Sequence, residues 1–428
     1  MKIVLFTHIF PYPLNEGGKV AQFGIIRYLC RKNEIILVSE NSYSGIYEDA
    51  RQLNIVLPEL RIEILDALET KPTNSFANAI LNKVNQLQWR LQKVVNKKQP
   101  KSSSILDNNL FIYPTRPRKP TIINQLLAII QNEQPDLIQV DFIDNADLVN
   151  VIPSNIKSVL VHHDLRFASV EQACKLENQT VVYTDYLRNY VKSIEAAFLY
   201  KFDAVVTFNL QDREKLITII KNTIIEAIPF PISNLSMNVI GDEAYTINKL
   251  VFIGPHYHLP NYDALQWYAN EMSEEIFKRY NLKLVVIGNW SEGAKANFKK
   301  FKGIEFVGFV DDLNAALQNA IMIVPLRIGS GIRTKLLDAF SLGVPVISTS
   351  VGCEGLGAVD QHELLVSNTA SEFVEAIEML ISNPLLVQTL RRNANDLIMQ
   401  KYTIEKVGGQ RLALYKKLIN ELVEKAKG

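Results

Sequence analysis

Pro325-Leu-Arg-Ile-Gly-Ser-Gly-Ile-Arg-Thr-Lys-Leu-Leu-Asp-Ala-Phe-Ser-Leu-Gly-Val-Pro345 follows the apolar run Ala320-Ile-Met-Ile-Val324 and leads into another, Val344 to Thr349. The order reads as a buried strand, a glycine loop, a helix entering at about Thr334 and closed by Gly343 and Pro345, then a second strand. Such a turn builds an anion site. Gly329 and Gly331 let the backbone approach a ligand, and the first helical N–H groups have no intrahelical partners in a region the helix dipole makes positive. Arg327, Arg333 and Lys335 add cations suited to phosphate oxygens. The same string also fits an ordinary strand-to-helix turn with surface cations, so the rest of the chain has to decide.

Outward from that stretch the chain is a succession of strands and helices. Lys2 to Phe6 is a strand, Thr7 to Lys19 a loop holding Pro11, Pro13, Gly17 and Gly18, Val20 to Arg31 a helix, and Glu34 to Ser39 the next strand. Strands at Leu137 to Val140, Ser158 to Val161 and Ala204 to Phe208 follow, with a helix through Tyr186 to Lys201. His162, His163, Asp164 and Asn209 lie just past strand ends, on the rim where open α/β sheets bind ligands. Pro229-Phe-Pro231 and the polar stretch Ser233 to Asn248 then break the rhythm, and a new first strand starts at Lys249. The second half repeats the theme through strands at 249–253, 282–287, 304–307, 320–324 and 344–349. The expected architecture is therefore α/β, with two facing Rossmann-like doubly wound domains. Residues 1–230 form the first and 231–402 the second, and a C-terminal helix, 403–428, packs across them.

Composition narrows the function. Among 428 residues, Lys plus Arg number 46 and Asp plus Glu 45, so a formal charge of +1 gives no field for nucleic acid. Three scattered cysteines, Cys30, Cys174 and Cys353, fit a reducing compartment, and no apolar run approaches the roughly 18 residues of a membrane span. A cytoplasmic protein is expected. Residues 75–120 stand apart: nine Lys or Arg against Asp107 leave a local charge of +8 beside the stripe Phe76, Ile80, Val84, Leu87, Leu91 and Val94. That pattern fits a helix lying on an anionic membrane, and equally a helix packed on its own domain with a solvated basic face.

With these residues in view, the chain resembles the retaining group 4 glycosyltransferases, nucleotide-sugar enzymes of the two-domain GT-B architecture. The likeness is carried by Phe10-Pro-Tyr-Pro through Gly18, by Phe252-Ile-Gly254 with Pro260-Asn261, and by Pro325 through Gly355. It implies that the second domain holds a nucleotide-diphosphate-sugar co-substrate and the first a glycan, lipid-linked or small-molecule acceptor. No cofactor or metal is implied, and the chain has no Asp-x-Asp pair. Donor contacts would fall to Gly254, Asn261, Arg327, Gly329, Ser330, Gly331, Ile332, Thr334, Asp338 and Glu354, with Gly17 and Gly18 as the acceptor or phosphate loop. His162 or His163 would position sugar or acceptor, and Arg333 and Lys335 would hold charge on the leaving diphosphate.

Two departures from the family pattern matter. Many members carry two glutamates, the first reaching the transferred sugar and the second the ribose; Ser330 and Asp338 stand at those positions here. The loop Gly254-Pro-His-Tyr-His-Leu-Pro260 also lacks the Arg and Lys that relatives use as a phosphate clamp, which leaves Arg333 and Lys335 as substitutes. These changes keep open an epimerase or phosphorylase and a non-catalytic nucleotide-sugar binder.

Overall fold

The computed structural model describes residues 1–14, 17–67, 117–232, 245–329 and 332–427. Ser330, Gly331 and most of the basic 75–120 segment lie outside the described residues. Arg118, at that segment's end, pairs with Glu40 and with Asp147 at 3.2 Å and lies 5.2 Å over the Phe6 ring, so this cation holds the first domain together.

Two parallel sheets organise the chain. The first has the strand order β3-β2-β1-β4-β5-β6-β7, with β1 at Lys2–Phe6, β2 at Glu34–Glu40, β3 at Arg61–Leu65, β4 at Leu137–Asp141, β5 at Lys157–Val161, β6 at Ala204–Thr207 and β7 at Ile224–Ala227. The second runs β10-β9-β8-β11-β12-β13, with β8 at Lys249–Ile253, β9 at Leu284–Ile287, β10 at Ile304–Gly308, β11 at Ala320–Val324, β12 at Val346–Ser348 and β13 at Leu365–Val366. Helices cover both faces of each sheet, so the central strands β4 and β11 are buried along their whole length; β11 is an unbroken apolar run, and β4 is one broken by Gln139 and closed by Asp141. In each sheet the order reverses beside the first strand, between β1 and β4 and between β8 and β11. Those two reversals are the crevices that doubly wound sheets use for ligands.

The chain crosses between domains twice at one place. Ile232 N–H donates to the Tyr402 carbonyl at 2.8 Å, and Ile232 bridges Thr403. Helix Pro384–Lys401 buries Val387, Leu390, Ala394 and Ile398 in the second core, whereas helix Ile404–Lys427 buries Val407, Leu414, Tyr415 and Leu418 in the first. The tail thus crosses both domains by its course, and its last helix belongs to the first core. No single helix among the described residues is long and apolar enough to cross a membrane.

Candidate active site

The floor of the second domain is made of glycines. Gly254, Gly288 and Gly308 follow or end the neighbouring strands β8, β9 and β10, with φ of 152°, 128° and 78°. Side chains are disfavoured there, and at Gly288 a Cβ would come within 2.8 Å of the Gly254 carbonyl group. At Gly254 and Gly288 that space is already filled, by the Asn261 side chain and by the Gly254 and Pro255 backbone. Asn261 occupies the space beside Gly254; its Nδ2 donates to the Pro255 carbonyl at 3.1 Å, and its Oδ1 accepts from Lys335 Nζ at 2.7 Å. Lys335 also lies 4.7 Å over the Phe252 ring.

The helix expected at about Thr334 spans Thr334–Ser341, with Arg333 as its N-cap, no side-chain cap and no acidic residue in its first turn. Thr334 therefore opens the helix without closing it off. Gly329, at φ 120°, leaves the space into which Arg333 folds: a Cβ there would sit 2.7 Å from Arg333 Nη2. Burial lowers the Arg333 pKa, opposed by Glu354, Asp164 and Asp212. Burial, with Arg333 adding to it, pushes Lys335 down to about 7. Loss of hydration likewise pushes the Asp338 carboxyl up to about 7. Lys335 gives its hydrogen bond to Asn261, and among the described residues no ion pair holds Asp338. The helix-surface pairing that i,i+3 spacing allows is not made. An anion arriving here would meet the buried Arg333 guanidinium and a Lys335 amine that its charge would hold protonated, in surroundings of little hydration, which strengthens the attraction.

Arg327 is placed elsewhere. It forms a two-point pair with Asp263 at 2.5 and 3.0 Å and lies 5.5 Å from the Trp267 ring, so the anion cluster consists of Arg333 and Lys335.

On the first domain the two histidines separate. His162 is 2% exposed, with Nε2 3.9 Å from Glu195; burial pushes it down to about 4 and pushes Glu195 up to about 8. Its ring is enclosed beside Glu195. His163 stacks on Phe142 with ring centroids 3.6 Å apart and meets Phe208 edge-on at 4.9 Å. Phe142 achieves this with φ at 70°, a conformation non-glycine residues seldom adopt. Burial first, and Arg411 second, hold His163 well below the ordinary imidazole range, so it is a neutral hydrogen-bonding group. Gly17 and Gly18 open helix Gly17–Cys30, which touches helix Thr334–Ser341 across the cleft. Asn209 caps its own helix through the Asp212 N–H at 2.7 Å, and Asp164 lies 3.9 Å from Arg166.

Two first-domain residues that the sequence did not single out reach the second domain. Gln172 Oε1 accepts from the Gly329 N–H at 2.6 Å. Lys215 pairs with Glu354 at 3.3 Å, so Glu354 serves the domain contact. Beside them Asn209 packs on Gly355, whose φ of 80° and tight space both exclude a side chain. Ile332 packs against Ala21, Val161, Phe208 and Phe230 of the first domain. No periodicity marks Gln172 or Lys215, since both lie on helix faces that are solvated until a partner domain arrives.

Solved structures with this arrangement identify the architecture. Sucrose-phosphate synthase from Thermosynechococcus elongatus aligns over 98% of this chain and 99% of its own, at TM-score 0.65 and 15% identity. TarM aligns over 97% and 98%, at TM-score 0.65 and 13% identity. Anabaena HepE in complex with UDP and glucose aligns over 97% and 99%, at TM-score 0.60 and 10% identity. The chain has the GT-B fold. Residues 247–383 match the family described as Glycosyl transferases group 1, an interval that contains the whole second sheet of this GT-B molecule. An uncharacterized 44.6 kDa protein in the cps region of Klebsiella pneumoniae is 28% identical over 169 residues. That match spans 37% of this chain and 44% of the Klebsiella protein.

Proposed function

We propose that the protein is a retaining glycosyltransferase that moves a sugar from a nucleotide-diphosphate donor on the second domain to an acceptor hydroxyl on the first. The observation that carries this is the convergence of Arg333, Lys335 and an uncapped helix start beside the β8–β11 reversal, where Lys335 bonds Asn261 next to Gly254. Cations and backbone dipoles fixed in a poorly hydrated cleft stabilise the charge that develops on a leaving diphosphate. They do so without a metal in this reading. Asp338 accepts from the ribose hydroxyls, and neutral His163 hydrogen-bonds the transferred sugar or the acceptor. Group 4 of the retaining enzymes is the family assignment we favour. The cps-region relative, the TarM mutant in complex with Fondaparinux, alpha-GlcNAc-glycerol and UDP, and HepE in complex with UDP and glucose support a glycan acceptor and a role in polysaccharide biosynthesis.

A thermal-shift screen of the full chain against nucleotide sugars tests it. A true donor at 100 times its dissociation constant adds about 2.7 kcal/mol of stability. A stabilising donor should also release its nucleoside diphosphate, with or without chelator, when acceptor sugars are added. Absence of any shift, together with absence of release, would sink the proposal; a shift without release would leave a binder.

A further inference from the structure

Behind His163 the first domain keeps a small pocket for which anion binding has no use. It is lined by Gln22 of helix Gly17–Cys30, Asp141 at the end of β4, His163, Arg411 of helix Ile404–Lys427, and the rings of Phe208 and Phe230. Asp141 is 2% exposed, and its two carboxylate oxygens accept from Gln139 Nε2 and Gln22 Nε2, each at 2.6 Å. Arg411 is 3% exposed and its Nε has no hydrogen-bond partner; His163 Nε2 has none either. A buried guanidinium N–H left unpaired is costly, so a site that keeps one normally meets a ligand or water there. The free volume, about 20 Å³, admits one oxygen atom with its hydrogen.

We propose that this pocket is a hydroxyl-recognition subsite for a neutral acceptor sugar. One sugar hydroxyl donates to Asp141 and accepts from Arg411 Nε–H, while the rest of the ring stays outside the pocket, on the side that Ile332 covers when the domains are together. The charges of Asp141 and Arg411 balance, so a phosphate would confront the carboxylate and an ammonium the guanidinium; a hydroxyl satisfies both. The position fits the transfer reading, on which this inference rests. Ala21, Val161, Phe208 and Phe230 line the pocket and are also the residues against which Ile332 packs. Ile332 therefore covers the pocket, and separating the domains uncovers it.

The test is ligand-observed NMR on the full chain with methyl glycosides of glucose, galactose, mannose and N-acetylglucosamine. The wild type should give saturation transfer to at least one of them, and Arg411→Met should weaken that binding about tenfold or more. Arg411→Met leaves Asp141 without its countercharge and risks misfolding. Arg411→Lys is therefore the second variant: it keeps the countercharge of Asp141 but cannot present an N–H at the Nε position, and the same loss is expected in a protein that stays folded. Wild type that binds no glycoside, or folded Arg411→Lys that binds like the wild type, overturns the proposal. Glycoside binding by a protein that binds no nucleotide would instead remove the transfer reading and leave the sugar pocket standing.

Discussion

The two domains carry the same topology to the cleft and meet it with opposite chemistry. At the ends of β4 to β7 the first domain offers a neutral His163, a carboxylate enclosed by amides and two phenylalanine rings. Past β8 and β11 the second offers the positive-φ glycines Gly254 and Gly329 and the pair Arg333 and Lys335. A doubly wound sheet fixes where ligands bind, and the side chains at the reversal decide which. On the proposed reading they sort a charged partner to one side and an uncharged one to the other. Removing Arg333 tests that division most severely. Arg333→Met should weaken nucleoside diphosphate binding about a hundredfold, the worth of a two-point charged contact, with little change in glycoside binding. Calorimetry reads both; equal losses for the two ligand classes would break the division.

Lys335 gives the next largest effect, and its sign follows from its position. In the empty cleft burial holds it near 7, so above neutrality much of it is uncharged. A diphosphate favours the protonated form, and binding then takes up a proton. Affinity should fall as pH rises from 7 to 9, by at most about tenfold per unit, until the pKa of the bound state is reached. Lys335→Met should bind weakly and lose the slope. A wild-type profile flat over that range would remove Lys335 from the anion site.

Much of this division was legible in the sequence. The run Ala320 to Val324, the glycine loop and the helix from Thr334 have local causes, namely an apolar strand, a positive φ at Gly329 and a stop at Gly343, and local causes are visible in order along a chain. What stayed hidden depends on groups far apart in sequence. Arg327 stands just before Gly329 in the loop, yet Asp263 on another helix claims it. His162 and His163 are adjacent, but strand alternation turns one inward beside Glu195 and the other toward Phe142. Arg411 did leave a trace: it sits on the apolar stripe formed by Val407, Leu414, Tyr415 and Leu418, where a lone cation needs a buried partner.

Asp338 sharpens the comparison within the second domain. If its carboxylate serves the ribose, Asp338→Ala should weaken a ribonucleoside diphosphate several-fold, by about the worth of one or two hydrogen bonds, and leave the 2′,3′-dideoxy analogue unaffected. A loss shared by both analogues would assign Asp338 to the fold of the Thr334–Ser341 helix instead.

The smallest expected effect has the most informative direction. Gln172 belongs to the neutral domain, yet its Oε1 takes the Gly329 N–H, a donor that a diphosphate on the charged side would need. The amide is thus satisfied in the ligand-free molecule by a group the ligand must displace. Losing that competitor should help: Gln172→Ala is expected to tighten nucleoside diphosphate binding about three- to tenfold, the free energy of one neutral hydrogen bond, and to speed hydrogen exchange around Gly329 before any ligand is added. Weaker binding in the variant would mean that Gln172 touches the donor itself, and the line between a neutral and a charged face would then run through the first domain and no longer between the two.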